Sequence, residues 1–138
     1  MKLKDIMTKN VATVSLESNV LEAARKMRDL NIGAVPVVDG DRPVGIITDR
    51  DIVLRCVAEE KEAGTVKASE IMTKKIISAE PETNVEEAAK IMAEHQIRRL
   101  PIVENGKLVG IVSLGDLATK PRFADEAGEA LTNISIPT

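Results

Sequence analysis

The chain is written twice. Displaced by 65 residues, so that Ile6 falls on Ile71, the sequence matches itself without a gap. Ile6-Met7-Thr8-Lys9 meets Ile71-Met72-Thr73-Lys74, Asn19-Val20 meets Asn84-Val85, and Val44-Gly45-Ile46 meets Val109-Gly110-Ile111. Between Ile6 and Val53, 18 of 48 positions are identical, far above chance. A solenoid needs about three or more stacked units, so two copies point elsewhere. They suggest a pseudo-twofold pair in which each copy buries the apolar face of the other.

Each copy reads as one β-α-β-β-α sequence, an α+β fold. A short strand is expected at Val11 to Val14, and at Ile76 to Ala79 in copy two. A helix follows from Asn19 or Asn84, where Asn-x-x-Glu has the form of a capping box. Val20, Ala23, Ala24 and Met27 keep the i, i+3, i+4, i+7 spacing of a buried stripe, as do Val85, Ala88, Ala89 and Met92. A β-rich run, Ala34 to Val38, holds a proline that lacks a donor and so predicts an edge strand. Asp39-Gly40-Asp41 and Glu104-Asn105-Gly106 predict hairpin turns. The return strands are Val44 to Thr48 and Leu108 to Ser113. Second helices are expected from Asp49 to Ala58 and from Leu114 to about Lys120. The repeats thus occupy 1–60 and 61–120, joined by the charged stretch Glu59 to Thr65. The remainder, 121–138, breaks the repeat, with a short polar helix expected at Asp125 to Leu131 and a loose end after it. Each repeat has about 60 residues, a size at which a domain is only marginally stable alone.

Composition narrows the functions. The chain has 138 residues, no Trp, no Tyr and one Phe, which excludes a site built on stacking bases against rings. The net charge of −3 argues against a general nucleic-acid or anionic-membrane binder. One Cys and one His leave no ligand set for structural zinc and no internal disulfide. The charged start, Met1-Lys2-Leu3-Lys4-Asp5, has no apolar signal region after it, and no stretch approaches the ~18 apolar residues of a membrane span. A cytoplasmic protein is the expectation.

Nothing resembles a catalytic constellation. His95 lies near the end of a helix, where a cation is favoured, and its counterpart in copy one is Leu30. Cys56 sits among Ile52, Val53, Leu54 and Val57 and reads as core. No phosphate-cradling glycine loop or nucleophile elbow is present. The expectation is a protein that is not an enzyme and that needs no cofactor or metal.

The informative segments are the strand-to-helix junctions, Gly45-Ile46-Ile47-Thr48-Asp49-Arg50-Asp51 and Gly110-Ile111-Val112-Ser113-Leu114-Gly115-Asp116. Both read Gly-apolar-apolar-Thr/Ser-x-x-Asp. One reading is structural: a hydroxyl residue three before an acid caps a helix. The other is functional. A helix start offers N–H groups to phosphate, and an Asp one turn in can accept both hydroxyls of a ribose. The glycine lets a ligand approach the backbone closely. The sequence leaves both readings open.

These features together resemble the CBS domain, named after cystathionine β-synthase. Two in tandem resemble a CBS pair, or Bateman module. The resemblance rests on the Ile-Met-Thr opening, the Asn-Val-x-Glu-Ala-Ala helix, the Val-Pro-Val-Val strand and the Thr-Asp-Arg-Asp junction, over about Leu3 to Ala118. The segment Ala127 to Ser135 is similar to the tails of small stand-alone bacterial CBS-pair proteins. The resemblance implies a regulatory module that senses AMP, ADP, ATP or a related adenosyl ligand such as S-adenosylmethionine. It implies two clefts between the copies. One would use Ser113, Asp116, Ile111, Arg98 and Arg99, facing Met7, Ala12 and Ile32. The other would use Thr48, Asp51 and Ile46, facing Met72, Ile77 and Ile97. In each, the Asp would hold ribose and aliphatic groups would enclose adenine. The resemblance also implies a homodimer and a separate regulated partner. A ligand-free scaffold that serves dimerisation is the alternative.

The copies differ where charge matters. Arg98-Arg99 aligns with Gly33-Ala34, and Arg50 aligns with Gly115. One reading of Arg98-Arg99 is a solvated pair at a helix end. The other is a phosphate clamp, since the donors of a guanidinium form a planar fork. On that second reading, tighter nucleotide binding is expected beside Asp116 than beside Asp51.

Overall fold

A computed structural model describes residues 1–118. The expected helix at Asp125 to Leu131 and the end of the last helix near Lys120 lie outside the described residues. The elements are α+β: β1 (Val14–Ser15), α1 (Val20–Leu30), β2 (Ala34–Asp39), β3 (Arg42–Thr48), α2 (Asp49–Ile52), α3 (Ala68–Ile71), α4 (Val85–His95), β4 (Arg99–Glu104), β5 (Lys107–Ser113) and α5 (Leu114–Ala118). A 3₁₀ turn covers Leu3–Asp5, and α2 runs on as a π-helical turn over Val53–Val57.

The chain divides into two compact units offset from the repeat boundaries. One is Ala12–Ile76; the other is Met1–Val11 with the chain from Ile77. Each unit therefore takes the strands of one copy and the Ile-Met-Thr opening of the other.

In the first unit, β2 lies between β1 and β3, parallel to β1 and antiparallel to β3. Alternation makes Val35, Val37 and Ile47 wholly buried. Helix α1 lays Val20, Ala23 and Met27 on the same core. Asn19 caps it, its side chain accepting the Glu22 N–H at 2.9 Å. Ala68, Ile71 and Met72 complete this core, as do Val14 and Cys56. The thiol at Cys56 is fully enclosed, as the apolar spacing predicted.

The second unit repeats the design. Strands β4 and β5 form a hairpin, and Val85, Ala88, Ala89 and Met92 of α4 cover it. Leu3 enters this core from the N-terminal segment. Its N–H donates to the Thr83 carbonyl at 2.9 Å. His95 ends α4 in an exposed position. The loop Asn105-Gly106 has φ values of 53° and 77°, the two positive dihedrals of a type I′ hairpin.

Three sequence expectations need correction. Pro36 does not mark an edge strand, because β2 is the middle strand. Pro36 sits opposite Ile46, whose N–H and carbonyl turn away to Thr73. That pair exchanges no ladder bonds, so no partner on β3 requires a donor from the proline. Pro101, opposite Ile111, uses the same position, and its carbonyl accepts from Ala79 at 3.0 Å. The first strands are also shorter than expected. Copy one keeps Val14–Ser15; copy two keeps only a bridge between Ala79 and Ile102. There Glu80 and Thr83 close a turn around Pro81, which ends the pairing. Finally, Asn84 makes no side-chain capping bond. The Val85 N–H is satisfied by the Met1 carbonyl at 3.1 Å.

Candidate functional site

Both junctions are built by the hairpin register. In copy two, Arg99 pairs directly opposite Ser113. Cross-strand partners point to the same face, so the guanidinium stem rises beside the serine. The Leu114 N–H donates to the Arg98 carbonyl at 3.0 Å, which joins the start of α5 to the residue before β4. Ser113 and Asp116 then close a reciprocal cap. The Ser113 N–H donates to Asp116 Oδ2 at 2.8 Å, and the Asp116 N–H donates to Ser113 Oγ at 3.1 Å. Arg98 is exposed, while Arg99 and Asp116 are half-buried. Ser113, Asp116, Arg98 and Arg99 thus share one corner of the unit.

Met7 and Ile111 belong to the same corner. Ile111 exchanges two backbone bonds with Thr8, at 2.9 and 3.0 Å. Met7 lies over Gly110, its Cγ 2.9 Å from where a β-carbon would stand. The glycine is required by this close approach rather than by backbone conformation.

Copy one repeats the arrangement with different side chains. Ala34 pairs opposite Thr48, and the Asp49 N–H donates to the Gly33 carbonyl at 2.9 Å. Thr48 and Asp51 exchange their two capping bonds, both at 3.0 Å. Met72 lies over Gly45, and Ile46 pairs with Thr73 at 2.8 and 2.9 Å.

Asp51 is 8% exposed and more heavily engaged than its sequence motif suggests. Thr73 Oγ1 donates to its carboxylate at 3.3 and 3.4 Å. Arg55 approaches it to 3.9 Å while donating to the Ile71 and Met72 carbonyls at 3.2 and 3.3 Å. Thr73 and Arg55 are site residues that the motif reading missed. The repeated Met-Thr pair at 7–8 and 72–73 was a signal for the first; Arg55 lies outside the compared segment and had none.

Most of the helix-start N–H groups that the functional reading would offer to phosphate are already engaged. In copy one the first three donors of the helix are all taken: by the Gly33 carbonyl, by the Asp49 carboxylate at 2.8 Å and by Thr48 Oγ1. In copy two the Leu114 and Asp116 donors are taken in the same way. The capping reading of the motif is therefore realised at both junctions.

The residues expected to face each junction divide between the units. Ala12 and Ile32 belong to the unit that holds Asp51, where Ile32 packs on its core. Ile77 and Ile97 belong to the unit that holds Asp116 and pack on its core.

Comparison with known proteins agrees with this arrangement. The CBS domain model matches residues 3–57 and 68–121. The CBS domain-containing protein YhcV of Bacillus subtilis (strain 168) is 49% identical over 133 residues, covering 96% of this chain and 94% of its own. The crystal structure of Hypoxic Response Protein I, with two coordinated zinc ions, aligns with a TM-score of 0.80 and 35% identity, over 87% of this chain and 98% of that one. The CBS domain pair of protein MJ0100, solved in complex with 5′-methylthioadenosine and S-adenosyl-L-methionine, aligns with a TM-score of 0.76 and 32% identity, over 86% and 98%. The chain belongs to the CBS-domain family and carries a CBS pair, a regulatory type of module. Among the described residues, no three His, Cys, Asp or Glu side chains gather to hold a metal, and no helix is long and apolar enough to cross a membrane.

Proposed function

We propose that this CBS pair is a non-catalytic sensor of an adenosine-containing ligand, with its nucleotide site at the Ser113–Asp116 junction. The observation that carries the reading is the placement of Arg99 directly opposite Ser113, with Arg98 bonded through its carbonyl to the start of α5. Two arginines, a serine and an aspartate then share one corner. The carboxylate accepts ribose hydroxyls, and the guanidinium forks take phosphate. Met7 and Ile111 supply aliphatic surface for adenine, in keeping with a chain that lacks Trp and Tyr. The complex of MJ0100 with two adenosyl ligands supports the class of ligand.

The output acts through a separate protein, and the working form is a homodimer in the cytoplasm. Light scattering tests the dimer: the purified chain should appear at twice the monomer mass, and a monomer mass would overturn it.

A second reading has its own observation. The reciprocal caps give Thr48, Asp51, Ser113 and Asp116 a structural task, which suits a ligand-free scaffold. Calorimetry separates the two readings. AMP binding that falls roughly 10- to 100-fold in Arg99→Ala and Asp116→Ala matches the loss of a charged hydrogen bond of ~1.5–3 kcal/mol and supports the sensor. An unchanged melting temperature with millimolar AMP, ATP and S-adenosylmethionine supports the scaffold, since a ligand at 100 Kd adds ~2.7 kcal/mol.

A further inference from the structure

We infer that the copy-one junction takes a different chemical class of ligand: an adenosyl compound whose 5′ substituent is neutral or positive, with Asp49 as the residue that excludes phosphate. This inference rests on the adenosyl reading of the module.

Three observations converge on Asp49. At its repeat position copy two carries Leu114, which is buried, whereas Asp49 is exposed. Its Oδ2 stands 3.0 Å from where a β-carbon on Gly33 would be, so the carboxylate lies over that glycine. Gly33 is the counterpart of Arg98. An anion therefore stands over the backbone position from which the other copy extends a cationic side chain. Its Oδ1 also accepts the Arg50 N–H at 2.8 Å, the helix donor that a phosphate would need.

Arg50 and Arg55 do not restore a phosphate site. Arg55 is committed to the Ile71 and Met72 carbonyls and lies beside Asp51. Arg50 is exposed, with Asp49 and Asp51 on either side of it in the chain. A phosphate dianion held beside these two carboxylates meets like charge at close range, which weakens binding about tenfold. A neutral thioether or a cationic group at the same position meets no such opposition. The Asp51 carboxylate, with two oxygens and about four acceptor positions, still has room for ribose hydroxyls beside Thr48 and Thr73.

The test uses the full chain and two probes, AMP and 5′-methylthioadenosine, titrated calorimetrically. The variants are Asp51→Asn, Asp116→Asn and Asp49→Asn; each amide oxygen can keep the backbone bond its carboxylate now accepts. The inference expects 5′-methylthioadenosine binding to weaken at least about tenfold in Asp51→Asn and to persist in Asp116→Asn. It expects AMP to behave in the opposite way. Asp49→Asn should strengthen AMP binding at the copy-one junction about tenfold, a gain that a further Asp51→Asn removes. AMP binding that depends equally on Asp51 and Asp116, or 5′-methylthioadenosine binding indifferent to Asp51, overturns the inference while the sensor reading stands. Failure of the wild-type chain to bind either probe overturns both.

Discussion

Met72 lies against the backbone of Gly45, its Cγ 2.9 Å from where a β-carbon would stand. Met7 stands in the same relation to Gly110. Each glycine follows a register shift in its hairpin, at Val37/Val38 and Ile102/Val103, and each methionine comes from the opening of the other copy. Gly45→Ala should therefore overpack the unit by ~1–3 kcal/mol in urea denaturation. Met72→Ala should relieve part of that cost in the double variant, because residues in contact couple. Strict additivity of the two substitutions would show that the close approach is not what holds the glycine in place.

Much of this was legible in the sequence. The repeat, the helical stripes and the hairpin loops depend on local periodicity and turn chemistry, which a linear pattern preserves. Arg99 beside Ser113 follows from hairpin register alone. The offset of the units was not legible, because the Ile-Met-Thr openings pair with strands 27 or 103 residues away, as Thr73 does with Ile46 and Thr8 with Ile111. Pro36 misled for a related reason. A missing donor marks an edge only where a ladder bond is due, and pairing with Ile46 asks for none.

Removal of the cap hydroxyls measures the structural share of the motif. Thr48→Ala deletes the acceptor of the Asp51 N–H, and Ser113→Ala deletes that of the Asp116 N–H. Each should cost ~1 kcal/mol, within the usual range for an N-cap. Chemical denaturation checks this; no loss at either position would mean the caps carry no stability.

Thr73→Val keeps the branched shape and the backbone pairing with Ile46 but removes the hydroxyl given to Asp51. The unit should lose ~1 kcal/mol, the net worth of one hydrogen bond. Exchange of the Thr73 and Ile46 amides should quicken while that of the Ile111 amide stays unchanged. Equal quickening at Ile111 would contradict a local role for Thr73.

The N-terminal segment has an electrostatic tie. Lys4 Nζ and Glu82 Oε1 meet at 2.7 Å. The hydrogen bond and charge of Glu82 raise the Lys4 pKa, and those of Lys4 lower that of Glu82. The carboxylate contribution is therefore present above its unfolded pKa and lost as pH falls through the folded one. The ammonium contribution is present below the lysine's unfolded pKa and lost as pH rises through the folded one. Both side chains are exposed, so global stability should move little. Protection of the Leu3 and Lys4 amides, corrected for intrinsic exchange, should fall from pH 7 to pH 3 in the wild type and not in Glu82→Gln. Identical pH profiles would remove the tie from the account.

Whether the Ser113–Asp116 corner reads an adenosine nucleotide is decided by a crystal structure of the full chain grown with AMP. Ribose hydroxyls are expected on the Asp116 carboxylate, with the phosphate within reach of Arg98 or Arg99. AMP bound away from Asp116, or crystals that exclude it at millimolar concentration, would rule out the proposed site.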